Sequence, residues 1–395
     1  MSYLTLDDFD FRDKVVLVRS DLDVPVEKGR VTDDTRLKAA SETIRYLQKK
    51  KAMIVMLGHM GRPGGKVVEE LRLDPVAKRL SKIIGSKIEK LDDCMDEDVE
   101  TYIDEMVPGE IVMLENLRFY KGEKKNDPDF AKSLADLGHI FVLDAFSVAH
   151  RDQASVTGIP RLIPSCAGMS LQQELDAMLP VLRKPKEPVV FIVGGAKLET
   201  KLPTIEHFLK KADKVLVGGA MIFTFIRAMG LQIGKSKFEK GLVSQAKKIL
   251  EKGSNKLVLP VDVVAAEKFD NKANKKTVDI DSIPKGWIGL DIGPKTIKLF
   301  SNILKQAKTI IWSGPMGVFE MKSFEKGSRE ITKVVASSDA TTIIGGGDTA
   351  AMVSRFKLSN KMTHVSTGGG ASLALFEGKK LPAVKALEKN YRRFR

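Results

Sequence analysis

Glycine pairs and triplets recur through the second half of the chain, in GGAK (194–197), GGA (218–220), SGPMG (313–317), GGGDTA (345–350) and TGGGAS (367–372). A glycine-rich turn that opens into a helix offers bare backbone N–H groups and the positive end of the helix dipole, both suited to phosphate oxygens. One such turn is weak evidence, because glycine also serves ordinary tight turns. Repetition after successive strands points to a phosphate-bearing ligand. In GGGDTA the acid Asp348 follows the glycines directly, where a carboxylate could hold a Mg²⁺ ion that bridges phosphates. Its plainer role is that of a helix-capping aspartate. Lys197 follows its turn as a point charge for a phosphoryl oxygen, and Lys201 would share its face on a helix.

The first half carries the complementary charges. Arg19, Arg36 in DDTRL, Arg62 in GHMGRPGG, Arg118 in LENLRF and Arg151 in AHRDQAS fall near or just past strand ends. Arginine suits a bidentate grip on phosphate or carboxylate. Any one of these reads equally well as a surface ion pair, but several at one sheet edge suggest a small dianionic or polyanionic substrate. The stretch VRSDLDVP (18–25) adds two acids. In an extended chain Arg19, Asp21 and Asp23 point the same way, as a solvated edge, a metal site or a ligand pocket.

The elements that would position these groups are legible as apolar runs. VVLV (15–18), IVML (54–57), IVML (111–114) and IFVLDAF (140–146) are each followed by a helical pattern. The alternation resumes with VVFIVGG (189–195), KVLVGGA (214–220), KLVLPVDV (256–263), TIIWSG (309–314), TTIIGGG (341–347) and HVSTGGG (364–370). Continuous Val/Ile/Leu runs joined by helices predict parallel sheets covered on both faces, with ligands beyond the carboxyl ends of the strands. Between the two series, Leu171, Leu175, Met178 and Leu182 form one stripe of a helix for which Ser170 and Gln173 make a capping box. The expectation is an α/β protein of two Rossmann-like parallel-sheet domains joined by that helix.

Composition narrows the class. At 395 residues the chain is long enough for two domains, and 43% hydrophobic with 29% charged residues is ordinary for a globular protein. The acidic start MSYLTLDDFDF lacks a basic region followed by an apolar one, so no secretory leader is expected, and no apolar run reaches the ~18–20 residues that span a bilayer. Two cysteines, Cys94 and Cys166, give neither a disulfide framework nor a zinc site, which suits a reducing cytoplasm. The net charge of +14 raises nucleic acid as a partner, but the lysines are scattered in pairs such as Lys210–Lys211 and Lys247–Lys248. A basic cleft for a polyanionic metabolite fits better.

Several motif readings fail. GGGDTA satisfies G-x-G-x-x-A, but the acid that a dinucleotide site needs about 20 residues on is replaced by HVSTGGG. MGLQIGKS (229–236) is one residue short of a P-loop and follows a helical stretch, not a strand. There is no H-E-x-x-H or G-x-S-x-G.

Taken in order, VRSDLDVP, HMGRPGGK, LENLRF, DAFSVAHR, GGAKLETK, GGAMIFTF, LPVDVV, WSGPMGVFE, GGGDTAA and STGGGASLALFEG resemble the phosphoglycerate kinase family across nearly the whole chain. The resemblance implies a Mg²⁺-dependent kinase that moves a phosphoryl group reversibly between 1,3-bisphosphoglycerate and ADP, giving 3-phosphoglycerate and ATP. It implies a phosphoglycerate-binding domain at 1–169, an interdomain helix and linker at 170–186, a nucleotide-binding domain at 187–376, and a tail at 377–395 returning to the first domain. A cytoplasmic monomer whose hinge closes over both substrates is expected, without membrane or nucleic-acid partners. Matched motif by motif, Asp21, Asp23, Arg36, His59, Arg62, Arg118 and Arg151 would bind the phosphoglycerate. Gly195, Ala196, Lys201, Gly218, Gly219, Pro315, Glu320, Gly346, Gly347, Asp348 and Thr349 would bind the nucleotide, with Glu320 on the ribose and Asp348 on the metal. Arg36, Lys197, Gly369 and Gly370 would face the transferring group. Rival readings are a same-fold carboxylate kinase for another phosphorylated acid, and a non-catalytic nucleic-acid-binding relative.

The chain departs from the family's usual pattern where Asp23 replaces the Asn of D-x-N, Gln153 the second His of H-R-x-H, and Ser313 the Asn of W-N-G-P. These departures bear on the substrate side more than on the nucleotide side. VRSDLDVP is then best read as a pocket edge, because a cation would be opposed by the neighbouring arginines.

Overall fold

The computed structural model describes residues 3–253 and 255–394. The chain divides into two compact units, one made of Met1–Asp176 with Lys380–Arg395, the other of Ala177–Lys379.

The first unit is built on a seven-stranded sheet. Its order is Leu4–Thr5, Ser165–Ala167, Ile140–Asp144, Val15–Ser20, Met53–Leu57, Ile111–Met113 and Glu89–Lys90. Every pairing in it is parallel. The central strands are buried throughout, as the unbroken aliphatic runs predict for a sheet covered on both faces. The two-residue edge strands Leu4–Thr5 and Glu89–Lys90 carry no such run and escape a reading by hydrophobicity.

The second unit holds a six-stranded parallel sheet in the order Leu257–Val258, Lys214–Val217, Val189–Val193, Thr309–Ser313, Thr341–Ile344 and His364–Val365. Trp312, fully buried at its centre, donates from Nε1 to the Gly314 carbonyl at 2.7 Å. The run KLVLPVDV is not one strand. Pro260 has no N–H for a ladder, and the chain breaks there. Leu257–Val258 ends at the sheet edge, and Asp262–Ala266 enters a separate antiparallel sheet with Lys275–Asp279 and Ile288–Ile292.

The helix Met169–Arg183 contains the boundary between the two units. Leu171, Leu175 and Met178 are buried along it. Its start differs from the expected capping box, because Ser170 already lies inside the helix. The capping acceptor is instead Asp144 from a strand end, whose Oδ1 accepts from the N–H groups of Ser170 (2.8 Å) and Leu171 (3.3 Å). The C-terminal helix Pro382–Phe394 is tied to the first unit by the buried Asn390. Its amide donates to the carbonyls of Pro160 (2.7 Å) and Ile163 (2.8 Å) and accepts from the Ser165 N–H (2.9 Å). Among the described residues no helix is long and apolar enough to cross a membrane.

Candidate active site

In the first unit the charged groups gather beyond the carboxyl ends of the sheet strands, where open parallel sheets bind ligands. Strand Val15–Ser20 carries Arg19 as its last residue but one, and the chain then turns through Asp21, Leu22 and Asp23. Leu22 is fully buried against Gly58, where any Cβ would lie 2.3 Å from Leu22 Cδ1. That apolar plug fixes the two carboxylates flanking it. Asp21 meets Arg36, from the first turn of helix Thr35–Lys49, at 3.3 Å. Arg36 also donates to the Asp23 carbonyl at 2.7 Å. Burial raises the Asp21 pKa, and Arg36 and the Ser147 hydroxyl oppose the rise.

Arg19 itself is not a pocket group. It is fully buried and donates from Nε to Ser155 Oγ (2.9 Å) and from Nη2 to His59 Nδ1 (2.8 Å). A guanidinium has only donors, so His59 Nδ1 must accept, and its single ring proton sits on Nε2. Burial first, then Arg19, Arg151 and Arg36, push the His59 pKa well below the ordinary histidine value, so the ring is neutral. Nε2 faces Asp23 Oδ2 at 3.6 Å, and Asp23 Oδ1 accepts from the Gly61 N–H at 2.9 Å. The extra carboxylate therefore makes its direct contacts with a backbone amide and a neutral imidazole, while the arginine charges act on it from farther off. Behind this row, Ser155 donates its hydroxyl to Glu123 at 2.7 Å and its N–H at 2.9 Å, so a buried chain runs from Glu123 through Ser155 and Arg19 to His59.

The remaining arginines sit on neighbouring loops. Arg118 lies in the turn Leu117–Phe119, which Asn116 pins by donating to the carbonyls of Met60 (2.8 Å) and Leu71 (2.9 Å). Its Nη1 donates to the Gly61 carbonyl at 2.6 Å, and its Nη2 is buried without a partner. Arg62 is exposed. Burial and then the Arg62 charge lower the Arg151 pKa, while Asp23 and Asp21 oppose that shift. Such mutually repelling cations are set to receive an anion. Gln153 is buried, with its Oε1 unpartnered.

In the second unit a cavity of about 530 Å³ opens at the strand ends. Of the sequence candidates, Gly195, Ala196, Gly219, Pro315, Glu320 and Asp348 line it. Gly218 lies behind the wall, where a Cβ would come 2.5 Å from Met316 Sδ. Lys197, Lys201, Gly346, Gly347, Thr349, Gly369 and Gly370 belong to the same unit but do not line this cavity. Lys201 Nζ donates to Ser313 Oγ at 3.0 Å, and burial lowers its pKa against the pull of Asp348 and Glu377. Thr349 is buried, its hydroxyl accepting from the Gly314 N–H (2.6 Å) and donating to the Gly345 carbonyl (3.1 Å). That leaves its backbone N–H, at the start of helix Gly347–Arg355, for a ligand. Of the proposed transfer groups, Arg36 lies in the first unit and Lys197, Gly369 and Gly370 in the second.

The glycine turns divide into two kinds. At Gly219 (φ +69°) a Cβ would sit 2.3 Å from the Gly195 nitrogen, and at Gly314 (φ +97°) 2.1 Å from the Gly194 oxygen. Loop packing alone requires these glycines. At Gly347 and Gly369 a Cβ would meet nothing within 4 Å, so the space above them is open.

Much of the cavity wall is absent from the sequence reading. Phe223, Ile288, Leu290, Met316 and Val318 supply apolar surface, with Phe269 exposed at 61%. Ile288 and Leu290 come from the antiparallel sheet that the sequence did not announce. Lys235, from the stretch that fails as a P-loop, and Lys237, just past it, also line the cavity. That stretch is a packing turn, in which Gly234 abuts the Trp287 carbonyl and Ser236 Oγ accepts from the Gly289 N–H at 2.9 Å. Asp291 closes the floor. Its carboxylate accepts from the N–H groups of Ile292 (2.9 Å) and Gly327 (2.7 Å), and burial pushes its pKa up to about 7.

Among the described residues no cluster of three or more His, Cys, Asp or Glu side chains could enclose a metal. Asp348, exposed at a helix start and on the cavity wall, offers one hard oxygen donor. One carboxylate with substrate phosphates is a usual Mg²⁺ environment, so the residues fit that ion held jointly with a nucleotide.

Comparison with known proteins agrees with this geometry. The profile of the family described as Phosphoglycerate kinase matches residues 6–379. The phosphoglycerate kinase of Trichodesmium erythraeum is 49% identical over 384 residues, covering 96% of each chain. That of Moorella thermoacetica is 45% identical over 390 residues, covering 98% of this chain and 99% of its own. The solved structure of phosphoglycerate kinase from Coxiella burnetii superposes with a TM-score of 0.90 at 39% identity, covering 98% of this chain and 99% of that one. Matched by the family profile over residues 6–379 and by relatives 45–49% identical across nearly the whole chain, this protein belongs to the phosphoglycerate kinase family.

Proposed function

We propose that the protein catalyses reversible phosphoryl transfer between 1,3-bisphosphoglycerate and ADP, giving 3-phosphoglycerate and ATP, as a cytoplasmic monomer. The observation that carries the substrate side is the cluster of Arg36, Arg62, Arg118 and Arg151, with Arg118 Nη2 buried and unpartnered. A donor in that state is satisfied by an anionic oxygen.

In the direction of ATP use, the ionised carboxylate of 3-phosphoglycerate attacks the γ-phosphorus. A C–O–P bond forms as the bond to the β-phosphate oxygen breaks, and ADP leaves with the electron pair. The nucleophile carries its charge already, so no strong base is needed, and catalysis rests on position and charge neutralisation. Asp21 accepts a hydrogen bond from the substrate hydroxyl. Neutral His59 is a donor through Nε2. Arg62, Arg118 and Arg151 grip the substrate phosphate, and Arg36 and Lys197 offset charge on the transferring group. The apolar wall from Phe223 to Val318 takes the base, Glu320 the ribose, and Lys201 with the amides of Gly347 and Thr349 the phosphates. Gly369 and Gly370 offer further amides to the group in flight. Mg²⁺, held by Asp348, would neutralise charge on the nucleotide phosphates. Hinge closure over both substrates belongs to the same proposal, and scattering should record a smaller radius of gyration with both bound than with either alone.

The test is a coupled assay with Mg-ATP and 3-phosphoglycerate, with 2-phosphoglycerate and Lys197→Ala as controls. Turnover should require the 3-isomer and fall by ~10²-fold or more in the variant, the scale of one lost transition-state contact. ATP binding without turnover of 3-phosphoglycerate would overturn the substrate assignment.

A further inference from the structure

We propose that the cavity between the hairpin Val26–Val31 and the helix Asp74–Ile84 binds a condensed phosphate chain of the tripolyphosphate kind. The cavity measures about 430 Å³ and lies wholly in the first unit. Its charged walls are Lys28 and Arg30 from the hairpin and Lys78, Arg79 and Lys82 from the helix, and no carboxylate lines it. Arg79 is paired with Asp34. Lys28, Arg30, Lys78 and Lys82 have no ion-pair partner among the described residues. On an ordinary solvated face, cations spread apart or alternate with acids. Here they converge on one hollow, where the potential that each raises adds to the others.

The second observation is the geometry of the hairpin tip. Val26 pairs with Val31 and Glu27 with Arg30, leaving Lys28–Gly29 as a two-residue turn with φ of +49° and +71°. Both central residues at positive φ mark a type I′ turn, whose first position favours Asn, Asp or Gly. A lysine there is held in a conformation that side-chain-bearing residues disfavour. Lys51 and Lys357 share positive φ, but both follow helix ends, where that conformation commonly closes the helix. At the hairpin the strain coincides with placing one more cation at the cavity mouth, and local strain of this kind collects at ligand sites.

The chemistry of the wall selects the ligand. There is no aromatic side chain for a base to stack on, which disfavours single-stranded nucleic acid. Val31 and Pro75 are its only apolar side chains, and the rest of its apolar surface is the aliphatic stems of the lysines and arginines. Charge is the only recognition offered, and a linear chain of phosphates supplies several negative charges within a span of this size.

Calorimetric titration with sodium tripolyphosphate tests the assignment on the full chain and on Lys28→Glu/Lys82→Glu. The parent should show one more binding event than the double variant, and Lys78→Gln should weaken that event several-fold. Turnover within twofold of the parent would show that the variants fold, since none of these residues belongs to the transfer machinery. ATP should show the same loss in the double variant, because it carries the same triphosphate chain. Identical isotherms for parent and double variant would overturn the proposal. So would a single-stranded oligonucleotide of equal charge that displaces tripolyphosphate and binds tenfold tighter, which would make the surface a nucleic-acid site.

Discussion

Arg19 Nη2 donates to Nδ1 of His59 across 2.8 Å in a fully buried setting, so the histidine's proton is fixed on Nε2. His59 is a neutral donor and not a titrating base at working pH. In an NMR titration the His59 ring resonances should therefore show no midpoint between pH 6 and 8, and a clear inflection near pH 6.5 would contradict this. The unfolded chain takes up a proton near pH 6.5 that the folded His59 refuses. Its contribution to stability is accordingly complete above that pH and lost as pH falls below it. His59→Ala should flatten the slope of unfolding free energy between pH 5 and 6.5.

The relay behind that histidine carries a buried ion pair at one remove, since Arg19 and Glu123 share Ser155. Removing the cation leaves Glu123 buried with only a hydroxyl and an amide. Arg19→Met should lower stability by about 3–5 kcal/mol. Denaturant unfolding measures this directly, and a loss below 1 kcal/mol would show that water replaces the guanidinium.

In the proposed substrate site, Asp23 adds a negative charge beside an anionic substrate. Two unit charges ~4 Å apart interact by ~4 kcal/mol at an effective dielectric of ~20, although Gly61 N–H and His59 offset part of this. Asp23→Asn keeps an oxygen for the Gly61 amide while removing the charge. The KM for 3-phosphoglycerate should fall ~3–10-fold, roughly 1 kcal/mol, with the KM for ATP unchanged. An unchanged or higher KM for 3-phosphoglycerate would mean that the substrate needs the carboxylate.

Glycines required by packing and glycines open to a ligand should respond oppositely to alanine. Gly219→Ala pushes a Cβ to 2.3 Å from the Gly195 backbone at a positive φ, so it should unfold or lower Tm by several degrees at least. Gly347→Ala meets no atom within 4 Å, so Tm should hold while kcat/KM for ADP falls ~10-fold or more. Retained activity in Gly347→Ala would remove that turn from the phosphate site.

Asp291 titrates in the opposite sense to His59. Its folded pKa of about 7 lies above the ordinary carboxylate value of 3.8, so the folded state holds a proton that the unfolded chain has released. Stability then falls as pH rises from about 4 to 7, by on the order of 3–4 kcal/mol from this group. Asp291→Asn places an amide N–H against a backbone N–H and should be less stable at every pH. It should nonetheless lose this group's share of the slope, and parent and variant curves of equal slope would refute the assignment.

The sequence by itself determined the class of the fold and the family. Aliphatic runs such as VVLV and VVFIV can be satisfied only inside a covered parallel sheet, and strand polarity then fixes the edge at which the arginines and glycine turns must appear. The tertiary structure decided which of those residues are buried and which are left open. Arg19 and Arg36 are alike in sequence, yet one is fully buried in a relay to Glu123 and the other stays partly exposed beside Asp21. Gly219 and Gly347 are alike as turn glycines, yet only one has a backbone pressed against it. The apolar wall of the second unit's cavity was invisible for a related reason. Ile288 and Leu290 arrive from an antiparallel sheet whose pairing spans distant segments, and no local pattern marks a contact that exists only once the chain has folded.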